Sequence, residues 1–384
     1  PRKRKTKRTK SVASPVDVDQ FLRSINVELD ADSPERIAHF RPTSKCAVLI
    51  KALLGQEAER CFLVTAPYGT GKSLTAAYLL QLIENRPAAN PVLWSVAKRL
   101  KDVSPELAGF AEKRLSQKSD SRGIVVALHG HCADLPGQIK RAIVQSIGRI
   151  KRGRQLQAIT KLDVVTIEDA ITLLVALKEK CSKAGIDRVA IVWDEFGRHL
   201  ETIIAEGRGE TLNEVQLLAE FAARTTKIPF TLGLLLHQGL LHYAGAAPQT
   251  VRKDWKKIEG RFQTIQYVDD SKELYRLIGD VVSHHRKNTS LTAKDAKTLA
   301  RSCHRNGLFT DFTNKEDLAE LIRATAPLDP VTLYLLPRVS ARIAQNERTI
   351  FGFIHETPLD EAVTAESLYD FFSPAMRADT SVGG

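Results

Sequence analysis

The chain has 384 residues, of which 43% are hydrophobic and 26% are charged, and its formal net charge is +11. This length predicts about two or three domains with enough apolar residues for a sizeable core. No apolar run nears the roughly 18 residues of a membrane-spanning helix, and no apolar segment of a secretory signal follows the basic N-terminus. Five scattered cysteines without a CxxC pair predict buried or free thiols rather than disulfides or a zinc site. We therefore expect a cytoplasmic protein with no membrane contact.

The excess positive charge is concentrated at the N-terminus. Residues 1–10 carry seven basic side chains and no acidic one. We expect residues 1–15 to form a disordered arm that binds the phosphates of DNA or another nucleic acid non-specifically. A solvated tail explains the same composition equally well, and a nuclear localisation signal is a third interpretation. A short helix is predicted at about 17–24.

The next pattern predicts a phosphate-binding loop. After the break at 40–44, Thr43 or Ser44 caps a helix through Leu54. An apolar strand at 61–64 then leads into a glycine-containing loop, a Lys-Ser pair and an amphipathic helix that ends near 85–87. Such a loop turns backbone N–H groups toward phosphate oxygens, and the following helix adds partial positive charge. The usual first glycine is replaced by Ala66. The predicted nucleotide-binding residues are Pro67, Tyr68, Gly69, Thr70, Gly71, Lys72, Ser73 and Leu74.

A second strand end predicts the metal and the catalytic base. Residues 91–116 read as helical, 123–129 as a strand, 136–150 and 166–183 as helices, and 151–154 as a basic loop. The apolar run 188–193 then ends in Asp194 and Glu195, at the edge where open α/β sheets bind ligands. We expect Ser73 and Asp194 to hold Mg²⁺, while Glu195 activates the attacking water and Lys72 contacts the β- and γ-phosphates of ATP. An ordinary acidic strand end is the alternative.

Two later segments supply candidate sensor and activating residues. After a flexible loop at 206–210 and a helix at 212–224, the apolar run 228–236 ends in His237 and Gln238. This strand is predicted to lie between the other two, so that His237 or Gln238 senses the γ-phosphate; a capping or surface histidine is the alternative. Arg261 precedes a last strand at 263–268. It is predicted to reach the nucleotide of a neighbouring subunit, or else to pair with a surface carboxylate.

The C-terminal third is predicted to be an α-helical lid. Helices are expected at 271–286, 292–303, 315–325, 330–345 and 365–372. Arg338 and Arg342 lie four residues apart on one helical face. Either could act as a second nucleotide sensor, with Arg338 as the candidate, although a solvated basic face explains the pair as well.

This order of elements resembles an AAA+ type P-loop ATPase. More specific stretches, at 193–201, 236–238, 255–262 and 335–351, resemble bacterial phage-defence ATPases of the BREX and phage-growth-limitation kind. The resemblance covers about 38–372 and implies an α/β P-loop NTPase fold, with a three-layer core, a parallel sheet and a helical lid. It also implies ATP and Mg²⁺ as cofactors, a ring or partial ring of identical subunits, and other defence proteins as partners. The expected domains are the arm at 1–15, the core at 16–270 with a helical insertion near 136–183, the lid at 271–372 and a tail at 373–384.

The sequence thus predicts an ATP-hydrolysing motor or switch that acts on or near DNA, in anti-phage defence. Two alternatives stay open. One is a nucleotide-dependent assembly scaffold with little turnover, and the other is a DNA-loading initiator-type ATPase.

Overall fold

The computed structural model describes residues 25–116, 119–150, 153–208, 212–246, 249–268, 270–286, 291–343 and 347–378. The basic arm and the helix predicted at 17–24 lie outside these residues, as do 379–384 of the predicted tail, whereas 373–378 continue the last helix instead of forming a tail.

Five parallel strands form one sheet. They are β1 (Cys61–Thr65), β2 (Arg122–His129), β3 (Ile186–Asp194), β4 (Phe230–Leu236) and β5 (Gln263–Gln266). Their order across the sheet is β2-β3-β4-β1-β5, and every neighbouring pair is parallel. The strand that precedes His237 therefore lies between the phosphate-loop strand and the strand that ends at Asp194, as predicted. The α/β fold class with a parallel sheet is confirmed.

Helices cover both faces of this sheet. Alternate residues of β1 point to opposite faces, so Cys61 and Leu63 belong to one buried cluster, and Phe62 and Val64 to the other. The second cluster includes residues from α1 (Ser44–Leu53), α2 (Lys72–Glu84), α3 (Asn90–Leu100) and α4 (Pro105–Leu115). The first includes residues from α5 (Leu135–Arg149), α6 (Gly153–Thr160), α7 (Ile167–Cys181), α8 (Phe196–Ala205) and α9 (Leu212–Ala223), and from two further helices, α10 (Leu240–Tyr243) and α11 (Gln249–Glu259). The result is the predicted three-layer core.

Several helices differ from the sequence prediction. The helical span 91–116 is two helices, α3 and α4. Residues 151–152 of the basic segment predicted as a loop lie outside the described residues, and Gly153 begins α6 instead of continuing a loop. Burial explains this helix, since Leu156 and Ile159 pack into the sheet-covering cluster. α7 begins with a capping box, in which the side chains and backbone of Thr166 and Asp169 are bonded reciprocally.

Contacts between Cα atoms divide the chain into two units. The first comprises Ser24–Leu274 and Val339–Thr349, and it holds the sheet. The second comprises Tyr275–Arg338 and a C-terminal part that begins at Ile350. The remaining helices are α12 (Ser271–His285), α13 (Ala293–Arg305), α14 (Lys315–Thr325), α15 (Pro330–Ile343), α16 (Glu347–Glu356) and α17 (Ala365–Ala378). The residues expected to form a lid are therefore helical, with α16 as an addition to the prediction.

Two expectations from composition can be compared with the structure. All five cysteines are buried free thiols. In the described part of the chain, no helix has the length and apolar character needed to cross a membrane, and no cluster of three metal-binding side chains of the His, Cys, Asp and Glu types is found there.

Candidate functional site

The loop between β1 and α2 has the backbone geometry that phosphate binding requires. Gly69 and Gly71 have φ values of 73° and 81°, in the left-handed region that glycine tolerates best. Ala66, which replaces the usual first glycine, is not among the residues with positive φ. Its N–H donates to the carbonyl of Leu236 at the end of β4. An alanine therefore fits this position without strain.

Lys72 begins α2 and folds back over the loop. Its Nζ donates to the carbonyl oxygens of Ala66 at 2.6 Å and Pro67 at 2.9 Å. The side chain is 5% exposed, so these carbonyls compensate part of the cost of burying the ammonium group. Thr70 closes the same turn, because its hydroxyl donates to the carbonyl of Pro67 at 3.0 Å.

Ser73 and Asp194, predicted as metal ligands, come together from different elements. The Ser73 side chain, at the start of α2, lies close enough to the Asp194 carboxylate to favour its charged form. Asp194 is 2% exposed, and burial raises its pKa, against the opposing effects of Ser73, the Glu195 N–H, His129 and Lys72. Within the described ranges, its Oδ2 is buried without a well-aligned hydrogen-bond donor. A buried carboxylate oxygen in this condition is costly unless something else binds it.

Glu195 has an unusual backbone and an arginine and a histidine as neighbours. It adopts the left-handed conformation, with φ 49° and ψ 37°, immediately before α8. Its Oε2 lies 2.8 Å from Nε of Arg198 and 3.6 Å from Nε2 of His129. His129 ends β2 directly opposite Asp194 in the sheet register. The carboxylate is thereby held at the carboxyl edge of the sheet, close to the end of β2.

The polar tip of β4 lies beside the phosphate loop. The ring of His237 stacks on Tyr68 of the loop, with centroids 3.2 Å apart and an angle of 23° between the planes. Burial, followed by the charges of Lys72 and Arg198, lowers the pKa of His237 to about 3. The ring is therefore neutral at physiological pH. His237 and Gln238 line a cavity of about 250 Å³ together with Ala66 and with residues of β1 and β5.

Tyr243 of α10 supports this tip. Burial raises the pKa of its hydroxyl, and the nearby backbone N–H groups of His237 and Gln238 oppose that rise. The ring lies so close to Gly197 of α8 that a Cβ at that position would be 2.5 Å from the Tyr243 Cζ. Because Gly197 has no Cβ, α8 can approach the Tyr243 ring closely.

Tyr267, just beyond β5, supports the other end of the phosphate loop. Its hydroxyl lies 2.7 Å from the Thr75 hydroxyl in α2 and 3.2 Å from the Cys46 thiol in α1, and it donates to the Gly71 carbonyl at 3.3 Å. The Lys45 ammonium lies 4.9 Å from the ring centroid. The start of α1 is therefore connected to the start of α2 through this buried ring.

The two predicted arginines have protein partners here. Arg261, which is 44% exposed, lies 3.1 Å from a Glu220 carboxylate oxygen. This contact matches the surface-pairing alternative, and the role toward a neighbouring subunit stays a prediction. Arg338 donates to the hydroxyl of Tyr275 at 2.6 Å and the carbonyl of Tyr334 at 2.7 Å, and it stacks on the Tyr334 ring. Its role as a nucleotide sensor also stays a prediction.

Three residues at this site were missed in the sequence: His129, Tyr243 and Tyr267. A signal existed for His129, because it is the polar residue that ends an apolar strand, the criterion that identified Asp194 and His237. Tyr243 and Tyr267 gave no such signal, since their roles depend on contacts with residues distant in sequence.

The sheet, the loop and the acidic strand end together define the fold of a P-loop NTPase. No protein-family profile matches the chain, and no curated protein matches it either. Among solved structures, the Aeropyrum pernix ORC2 protein with ADPNP and ADP is 12% identical, with a TM-score of 0.37, over 90% of this chain and 73% of that one. The ADP form of ORC2 is 14% identical, with a TM-score of 0.36, over 84% and 72% of the respective chains. These values are too low to bear on function.

Proposed function

We propose that the protein is a Mg²⁺-dependent ATPase of the AAA+ type. One observation carries this proposal: Lys72 and Ser73 at the start of α2 lie close enough to the buried Asp194 carboxylate at the end of β3 to oppose the rise in its pKa on burial. The phosphate loop and the acidic end of β3, which are far apart in the sequence, are thus close together at the carboxyl edge of a parallel sheet. Ligands bind at this edge in open α/β folds.

The residues present fit a magnesium ion. Mg²⁺ prefers hard oxygen ligands and is held by one or two carboxylates together with water and substrate phosphates. Ser73 and Asp194 supply a hydroxyl and a carboxylate, and Asp194 Oδ2 is buried without a well-aligned donor in the described structure. When bound, Mg²⁺ would neutralise charge on the β- and γ-phosphate oxygens.

The surrounding residues would bind the phosphates, activate the attacking water and offer a hydrogen bond near the γ-phosphate. The N–H groups of the loop and of the first turn of α2 bind phosphate oxygens, and Lys72 exchanges its bonds to the Ala66 and Pro67 carbonyls for phosphate oxygens. Glu195 orients the attacking water and accepts its proton. His237, neutral at physiological pH, offers a hydrogen bond near the γ-phosphate without adding charge.

The test is the Glu195→Gln variant. Glutamine keeps the size and hydrogen-bonding ability of the side chain but cannot accept the proton, so ATP binding is expected to persist while hydrolysis falls by about 10²- to 10⁴-fold. Binding is measured with a fluorescent ATP analogue, and turnover by phosphate release. The matched control is Glu201→Gln, an exposed position on the same helix, which should leave both unchanged. Undiminished turnover in Glu195→Gln would show that Glu195 is not the catalytic base.

The wider role is part of the same proposal. We propose that the protein assembles into a ring or partial ring, that Arg261 then contacts the nucleotide of the neighbouring subunit, and that the basic arm binds DNA. A motor or switch in anti-phage defence, acting with other defence proteins, is supported by the sequence resemblance alone.

A further inference from the structure

The helix α13 presents a continuous basic face. Its four strongly basic residues follow one another at intervals of three, four and four, which places them on one side of a helix with about 3.6 residues per turn. All four are exposed. The opposite side, formed by Ala296, Ala300 and Cys303, is buried and packs against α14. The basic face of α13 consists of Lys294, Lys297, Arg301 and Arg305.

The charges on this face are not compensated within the described structure. None of the four has a carboxylate within ion-pair distance among the described residues. The single acid of the helix, Asp295, is engaged at its N-terminus, where its Oδ2 accepts from the Thr292 hydroxyl at 2.6 Å and its N–H donates back to that hydroxyl. A face of like charges costs stability through mutual repulsion, so a bound polyanion would relieve it.

The other basic helix of the chain differs in this respect. In α11, Lys257 lies 3.0 Å from Asp254. Part of its positive charge is thus already engaged. Bonds to backbone carbonyls do not distinguish the two helices, since Arg252 of α11 donates to Gly245 and Arg301 of α13 donates to Lys297. α11, which is also rich in lysine and arginine, therefore serves as the comparison helix for α13.

We propose that the basic face of α13 binds the phosphate backbone of duplex DNA. At 1.5 Å per residue, the face extends about 16 Å along the helix, enough to meet several phosphates that follow one another at roughly 3.4 Å along one strand. It presents lysine and arginine but no aromatic ring, which suits contacts to the backbone rather than stacking on exposed bases. The inference rests on the part of the proposed function that places the protein on DNA.

The test compares triple substitutions in the full chain. Because the arm at 1–10 also carries seven basic residues, the background protein has all of them replaced by glutamine. One variant adds Lys294→Gln, Lys297→Gln and Arg301→Gln. The matched control adds Lys253→Gln, Lys256→Gln and Lys257→Gln on α11, which removes the same charge from another exposed helix face. Fluorescence anisotropy with a labelled 30-base-pair duplex gives the dissociation constant between about 50 and 200 mM salt.

The α13 variant should bind DNA at least about tenfold more weakly at 100 mM salt, and its log–log salt slope should be smaller by roughly 2 to 3. The α11 control should retain most of both. Equal losses of DNA affinity in the two variants would show that only the net charge matters and would overturn the inference. Unchanged DNA binding by the α13 variant, or a background protein that does not bind duplex DNA, would overturn it as well.

Nucleotide binding and phosphate release, measured on the same proteins, separate this inference from the ATPase proposal. An inactive protein that loses DNA binding only in the α13 variant would refute the ATPase and leave the DNA surface intact. Normal ATP hydrolysis, with no effect of the α13 substitutions on DNA binding, would refute the DNA surface and leave the ATPase proposal intact. Circular dichroism melting confirms that each variant is folded.

Discussion

Replacing Gly197 by alanine should separate nucleotide binding from hydrolysis. A Cβ at this position would lie 2.5 Å from Cζ and 2.8 Å from Cε1 of Tyr243, and closer still to its hydroxyl. Ordinary carbon contacts begin near 3.5 Å, so the ring or the helix must shift by about 1 Å. Because the Tyr243 hydroxyl lies close enough to the N–H groups of His237 and Gln238 for them to lower its pKa, a displaced ring is expected to disturb the polar tip of β4.

The cost of this overpacking is expected to be about 1–3 kcal/mol. For a unit of this size, the corresponding drop in melting temperature is roughly 2–10 °C. ATP binding should persist, since the substitution leaves Gly69, Gly71, Lys72 and Ser73 in place and reaches the phosphate loop only through the stacking of His237 on Tyr68. Turnover should fall severalfold or more, because a displacement of about 1 Å at a catalytic position is costly.

The control is Gly109→Ala in α4, where a Cβ would meet nothing within 4 Å. This helical glycine should tolerate alanine with a gain of about 0.5–1 kcal/mol and with unchanged turnover. Differential scanning fluorimetry and phosphate release provide the two readouts. A Gly197→Ala protein as stable and active as the wild type would refute the coupling between α8 and the β4 tip.

Three further outcomes are expected. Burial, followed by the neighbouring charges, lowers the pKa of His199 to about 4, so the unfolded state takes up more protons between pH 6.5 and 4. Urea unfolding should accordingly show about 2 kcal/mol less stability at pH 5 than at pH 7 from this group, a difference that His199→Gln removes. Arg261→Ala should bind ATP normally but lose hydrolysis in the assembled protein; weakened binding would indicate a structural role instead. Tyr267→Phe should cost about 1–3 kcal/mol by leaving the Thr75 hydroxyl without this partner and should weaken ATP binding in a fluorescence titration, whereas Tyr369→Phe, which is 58% exposed, should do neither.

The central strands could be predicted because their signals are local. β1, β3 and β4 are short apolar runs that end in a glycine loop, an acidic pair and a polar pair, and burial on both faces of the sheet accounts for such runs. The place of β4 between β1 and β3 followed from the same chemistry. α6 was missed because its start is basic and contains Gly153, while its helical state depends on burying Leu156 and Ile159.

The site was only partly accessible from the sequence for a similar reason. Motif spacing identified Lys72, Ser73 and Asp194, and the structure brings the last two together. No spacing rule connects Tyr267 with Gly71, or Tyr243 with the tip of β4, since these contacts exist only once the sheet and its helices have assembled. Local patterns identified the groups proposed for chemistry, whereas the groups that hold them in place emerged from tertiary packing.

The left-handed backbone of Glu195 has a consequence for sequence variation. A glutamate in this conformation costs about 1–2 kcal/mol, a cost that glycine avoids and asparagine reduces. Folding alone would therefore favour replacing the residue to which we assign the proton transfer. A search for stabilised variants without an activity screen should enrich substitutions at this position and yield a sturdier but inactive protein. On the proposed role, selection for turnover is what keeps glutamate there.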